Sequence, residues 1–219
     1  MVSISELRKT QHPKSQQDFY VKHIYRKFSI IFTWFFVNLG ISANIVTVIS
    51  FLFDVLAVYL VFKNSLILAA IAIQFGIILD VVDGEVARYN NSIKKLKEPK
   101  KFGAYLDEVL GVIGFATAIF AFCYIKQEYW LGFAAIIALV MMNLTSAISS
   151  SLFTTGKSNI NEFKKSLFGN LSDAIAFGMT PQRAFITLAF LLDNIYFIWF
   201  FTIVGNFYWI IRFKFYKNL

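Results

Sequence analysis

Apolar residues in this chain gather into six long blocks separated by short polar or basic stretches. The blocks cover residues 44–62, 65–90, 102–125, 129–151, 172–192 and 196–212. A helix needs about 20 predominantly apolar residues to cross the hydrocarbon core of a bilayer, and each block comes close to that length. The pattern predicts an all-α, polytopic membrane protein of six transmembrane helices. At 219 residues it forms a single bundle, residues 44–213, with no room for a separate soluble domain. Very short connections join the third block to the fourth and the fifth to the sixth, so each of these pairs is expected to be antiparallel neighbours.

Residues 1–43 are read as a cytoplasmic and interfacial segment. The stretch 19–37 mixes Phe, Tyr and Trp34 with Lys22, His23, Arg26 and Lys27. It is expected to be an amphipathic helix lying in the interface, its aromatic residues dipping into lipid. A seventh span here would reverse the parity of every later loop. The first 27 residues are polar and mixed in charge, without the short apolar core of a cleavable signal peptide.

Composition agrees with this class and charge orients it. The chain is 58% hydrophobic and only 16% charged, with a mean hydropathy of +0.62, well on the apolar side of ordinary soluble domains. Six Lys or Arg precede the first block, and six more run from Arg88 to Lys101. Three follow the fourth block (Lys157, Lys164, Lys165) and three close the chain (Arg212, Lys214, Lys217), while the alternate loops hold only Lys63 and Lys126. That alternation is what the positive-inside rule gives for six spans with both termini in the cytoplasm of a cell-membrane protein. The net charge of +8 is then explained by topology and contact with anionic lipid, and no nucleic-acid partner is needed. Cys123 lies in an apolar helix and reads as a packing residue; His12 and His23 read as surface residues.

Chemistry is expected in the second block. Asp80 and Asp83 stand three residues apart near the end of an apolar run. A carboxylate at the centre of a span costs ~2.5 kcal/mol or more on insertion scales, and two on one turn also repel. At about 100° per residue, Asp80, Asp83, Gly84, Ala87 and Arg88 share one helix face, as do Gly103, Asp107 and Gly111 in the third block. Three carboxylates from adjacent helices can therefore converge at the cytoplasmic end. Hard oxygen donors suit Mg²⁺ or Mn²⁺, and Arg88 is placed to bind phosphate oxygens. The plain alternative is a set of interhelical ion pairs with glycine packing.

These residues carry a resemblance. Asp80-x-x-Asp83-Gly84-x-x-Ala87-Arg88, followed by Gly103-x-x-x-Asp107, resembles the signature of the CDP-alcohol phosphotransferases, and Asn44-Ile45-Val46-Thr47 is similar to the family's Pro-Asn-x-x-Thr segment, with Ala43 in place of proline. The resemblance implies transfer of a substituted phosphate from a CDP-linked donor to an alcohol acceptor, with release of CMP. It implies that Asp80, Asp83 and Asp107 bind the metal, and that Gly84 and Ala87 leave room for cytidine. Arg88, Gly103 and the segment Asn44, Ile45, Val46 and Thr47 would line the nucleotide site.

The sequence departs from the family's pattern in two places. The spacer from Arg88 to Gly103 holds 14 residues, longer than is usual there, and the family's last aspartate, credited with activating the acceptor hydroxyl, is Gly111. Glu108 is the nearest carboxylate but points about 100° away from Asp107. Three readings stay open: one metal with a base drawn from elsewhere, a branch that uses an unusual acceptor, or a protein that binds a CDP-alcohol without turning it over. From another class, a cation-coupled transporter is the alternative, though the chain shows no inverted repeat.

Two further polar residues lie within the blocks. Arg183, two residues after Pro181, is expected to bind a phosphate or another acid on the acceptor, or else to pair with Asp173. Asp54 lies mid-span in the first block and matches no family motif. In the fourth block Asn143, Thr145, Ser146 and Ser149 to Ser151 form a small polar run, read as a packing or dimer seam; a homodimer is the expected assembly.

Overall fold

A computed structural model describes residues 2–9, 21–92, 100–152 and 179–217. The basic loop residues Lys94, Lys95 and Lys97, the Lys157 to Lys165 loop, and Asp173 with the start of the fifth block lie outside the described residues. All regular structure among the described residues is helical. In chain order the helices are α1 (Ile4–Lys9), a π-helical turn (Val21–Tyr25) leading into α2 (Arg26–Asn38), α3 (Ala43–Phe62), α4 (Leu66–Ser92), α5 (Lys100–Ile125), α6 (Tyr129–Leu152), α7 (Met179–Leu191) and α8 (Tyr196–Lys217). Three of these, α3, α4 and the stretch Phe102–Ile125 of α5, are long and apolar enough to cross a membrane; the apolar stretches Tyr129–Leu144, Gln182–Leu191 and Tyr196–Ile210 are shorter. The chain divides into two compact units, Met1–Ala118 and Ile119–Leu219, with the boundary inside α5.

In the first unit α3 and α4 form the closest pair. At 1.5 Å per residue the 20 residues of α3 span about 30 Å, the thickness of a hydrocarbon core. The 27 residues of α4 reach about 40 Å, so one end of it is free to be polar. Small residues let the two backbones approach: Ala57 on α3 and Ala69, Ala70 and Ala72 on α4 are buried. The Ser50 hydroxyl donates to the Gly76 carbonyl at 2.8 Å, and the Phe53 and Phe75 rings stack at 5.8 Å.

Helix α2 packs lengthwise on α4. Contacts run in the same order along both: Tyr25 donates to Gln74 at 2.8 Å, then Ser29 and Thr33 reach Glu85. The polarity of α2 is unlike that of a helix with one wet face. Its buried side holds Ser29 and Thr33 beside Ile30, Phe36 and Val37, while its outer side shows Phe28, Ile31 and Phe35. Two of the aromatic residues expected to anchor in lipid have internal partners instead. Tyr25 is buried, and the Trp34 indole donates to the Val2 carbonyl at 2.9 Å.

The second unit is built on apolar contacts. Phe122 and Phe190 meet at 5.0 Å between ring centroids, and Ala135, Ala138, Leu139 and Ile198 are fully closed off. Gly132 leaves room for Cys123 and Gly205 for Met142.

Short connections end by one shared device. The second residue after α2, α3, α5 and α7 takes a left-handed backbone, at Gly40, Asn64, Gln127 and Asp193. The amides that follow turn back onto the last carbonyls, as in Ser65 to Leu60 at 2.9 Å and Glu128 to Cys123 at 2.9 Å. The very short connections expected after the third and fifth blocks are the turns at Gln127 and Asp193. In the second unit, Lys126 from one such turn pairs with Asp193 from another at 2.5 Å, so those two turns share an end.

Candidate active site

The site is assembled by the first turn of α3, the last third of α4 and the first half of α5. Ser42 stands before α3 in extended conformation, and its carbonyl takes the first helical amides. The side chains of Asn44 and Thr47, three apart and hence on one face, then point sideways to the neighbouring helices. The Thr47 hydroxyl lies 2.6 Å from Asp83 Oδ2 and 3.1 Å from the Ala43 carbonyl. Asn44 Oδ1 sits 2.9 Å from where a Cβ on Gly103 would be. A side chain at 103 would therefore displace Asn44. The other two residues of that turn face elsewhere: Ile45 is 52% exposed, and Val46 is closed within the core.

On α4, Asp83 is buried, with Asp80, Gly84, Ala87 and Arg88 part-buried around it. The Arg88 guanidinium folds back over Gly84, with Nη1 3.1 Å from the position a Cβ would take. The glycine of the signature thus makes space for its arginine one turn on. Asp83 lies within the electrostatic reach of both Asp80 and Asp107, so the three predicted carboxylates share one field. Glu108 is exposed and Gly111 is buried.

These carboxylates are hard oxygen donors, and three like charges in one partly desolvated place call for a countercharge, so their chemistry fits a divalent cation. Among the described residues no three His, Cys, Asp or Glu side chains are already gathered tightly enough to hold a metal ion. The donor set is present without being drawn to a point.

Deeper along the same helices, Asp54 is buried on α3. Its carboxylate is wedged between Gly76 of α4 and Gly114 of α5, in the space that a Cβ on either would fill. In the second unit Arg183 and Gln182 are buried on α7, and Thr187 donates to the Arg183 carbonyl at 2.9 Å.

Sequence reasoning missed Glu85. It lies inside the signature, is 1% exposed, and accepts from Ser29 at 3.2 Å and Thr33 at 2.6 Å. The signal was available: two residues after Asp83, it faces about 200° away from it, and a carboxylate there needs a partner outside the cluster. Ser29 and Thr33, four apart in an otherwise apolar stretch, supply it.

With this geometry in place, comparison with known proteins settles the class. The sequence profile of the CDP-alcohol phosphatidyltransferase family matches residues 40–161, more than half of the chain, and the chain belongs to that family. With its three long apolar helices it is an integral membrane protein of that family. It is similar to the archaetidylinositol phosphate synthase of Pyrococcus horikoshii, 35% identical over 83 residues. That stretch is 38% of this chain and 41% of the relative, so the match spans about two fifths of the relative's length.

Proposed function

We propose that this protein transfers a substituted phosphate from a CDP-linked alcohol to the hydroxyl of a second alcohol, releasing CMP, in the synthesis of a phospholipid or a related lipid or glycan. The observation that carries the reading is the contact between Thr47 and Asp83. It joins the two separate motifs of the signature, and Asn44 against Gly103 repeats the junction one turn away.

In this reading Asp80, Asp83 and Asp107 hold a divalent cation, Mg²⁺ or Mn²⁺. When bound, it stabilises the negative charge that builds on the leaving CMP. Thr47 orients Asp83 by donating to one of its oxygens. Arg88, seated over Gly84, binds the donor's phosphate oxygens. Asn44 and Gly103 border the nucleotide, and Ala87, small like Gly84, leaves the cytidine room. Arg183 takes a phosphate or another acid on the acceptor. The relative's name makes an inositol phosphate the first acceptor to try. Around the site we infer six spans, both termini in the cytoplasm of a cell-membrane protein, and a homodimer. The Lys126 to Asp193 pair supports the count by joining two of the turns that six spans would put on one side.

A second reading, in which the protein binds a CDP-alcohol without turning it over, rests on Gly111. No side chain at that position can take a proton from the acceptor, and Glu108 is exposed. A panel of CDP-alcohols and acceptors, with mass spectrometry of lipid and polar products, distinguishes the two. Transfer requires a new phosphodiester together with CMP; binding alone gives neither. Gly111→Asp sharpens the result. Raised turnover marks an impaired enzyme, whereas lowered turnover means that the glycine makes room for the acceptor.

A further inference from the structure

Asp54 belongs to no part of the signature, yet its carboxylate packs against both helices that carry the signature's aspartates. It is 4% exposed in the middle of α3, a depth at which a carboxylate is costly and its placement needs a reason. Oδ1 lies 3.1 Å from the position of a Cβ on Gly76, and Oδ2 is closer still to that on Gly114. Each oxygen thus faces the Cα hydrogen that glycine presents in place of a side chain, a weak donor that recurs where helices meet. Beside it the Ser50 hydroxyl donates to the Gly76 carbonyl at 2.8 Å. One side chain of α3 is thereby keyed into α4 and α5 at the same depth.

Spacing ties that depth to the site. Asp54 lies seven residues after Thr47 on α3, Gly76 seven before Asp83 on α4, and Gly114 seven after Asp107 on α5. Seven residues make about two turns, about 10.5 Å, and return to within about 20° of the same face. The contacts nearer the helix ends agree with this register. Thr47 meets Asp83 at 2.6 Å, as the pairing of Asp54 with Gly76 requires for antiparallel helices. Asn44 faces Gly103, so α3 and α5 are offset by 59 residues there and by 60 at Asp54. The same offset brings Asp107 level with Thr47, and hence with Asp83.

We propose that Asp54 is a positioning residue: seated between Gly76 and Gly114, it sets the relative height of α3, α4 and α5 and so brings Asp107 level with Asp83. The aspartates then need only side-chain rotation to meet around a cation. This deepens the proposed function, resting on it for the cation but not for the register of the helices.

Mn²⁺ binding to the purified full-length protein in detergent, read by electron paramagnetic resonance of the free ion with CDP present, tests it without requiring turnover. Asp54→Ala is expected to weaken Mn²⁺ about ten-fold, equal to ~1.4 kcal/mol, in protein that stays helical by circular dichroism. Asp54→Glu keeps the charge but is one methylene too long for the gap, and should lose as much. Asp54→Asn keeps the shape and exchanges one oxygen for an amide, so its loss should stay under about three-fold. Gly114→Ala disturbs the same contact from α5 and carries the test if Asp54→Ala does not fold. As a control, Gly205→Ala in the second unit should leave Mn²⁺ affinity unchanged even where it lowers the melting temperature. Unchanged Mn²⁺ affinity in folded Asp54→Ala or in Gly114→Ala overturns the proposal and leaves Asp54 a merely structural role. Full affinity in Asp54→Glu overturns it too, as does a loss in Asp54→Asn equal to that in Asp54→Ala, since the charge and not the seat then matters. Wild-type protein that binds no Mn²⁺ overturns it together with the cation reading. Wild-type protein that binds Mn²⁺ in this Asp54-dependent way but releases no CMP keeps the positioning role and defeats the transferase reading.

Discussion

The two units use glycine in opposite ways. In the first, a missing Cβ is filled by a polar head: Asn44 at Gly103, Arg88 at Gly84, and Asp54 at Gly76 and Gly114. In the second, Gly132 and Gly205 receive Cys123 and Met142, and the other near neighbours are Phe120 and Ala138. Close approach in the second unit gains dispersion contacts. In the first it places charges and amides at defined points in a poorly solvated interior, where each is expensive unless matched. A glycine that faces a carboxylate or guanidinium marks chemistry; one that faces a thioether marks packing.

Substitutions can break or sharpen that contrast. The largest effect is expected from Asp83→Asn, which removes a charge from the three-carboxylate field and alters the partner of Thr47. Metal-dependent CMP release should fall by about a hundred- to a thousand-fold, with helix content by circular dichroism unchanged. Gly103→Ala comes next. Its methyl would stand 2.9 Å from Asn44 Oδ1, so the apparent KM for the donor should rise about ten-fold, an effect of ~1.4 kcal/mol. Gly114→Ala drives a methyl against Asp54, whose own Cβ is 2.8 Å away. Overpacking of this kind costs ~1–3 kcal/mol, read as a lower melting temperature in detergent. In the second unit Gly205→Ala meets the flexible end of Met142 at 2.7 Å and the Ala138 Cβ at 3.2 Å. It should cost under ~1.5 kcal/mol and leave donor KM unchanged. Smallest of all, Lys126→Ala removes an ion pair whose aspartate is 57% exposed, worth ~0–1 kcal/mol and less in high salt.

The same contrast explains what could be read in advance. Helix positions were legible because apolar blocks ended on polar turns. Residues 44–62 became Ala43–Phe62, and residues 129–151 became Tyr129–Leu152. The shared face of Asp80, Asp83, Gly84 and Arg88 follows from helix geometry alone. The pairing of Thr47 with Asp83 was legible only as two motifs, since no periodicity states which neighbours meet across helices. The exposure of Ile45 was not legible for the converse reason: it sits within the motif by sequence but on the outer face of α3 by rotation. Glu85 was hidden because attention to one face of α4 discards the other. Asp54 was visible as an anomaly, but the two glycines that receive it lie 22 and 60 residues further along the chain.

Release of CMP from CDP-linked alcohols by the purified protein, with and without Mg²⁺ or Mn²⁺, tests the central claim most directly. The account predicts release that needs an acceptor, stops on chelation, returns with the added cation, and is lost in Asp83→Asn while Gly205→Ala keeps it. Release that persists in chelator, or in Asp83→Asn, would contradict it.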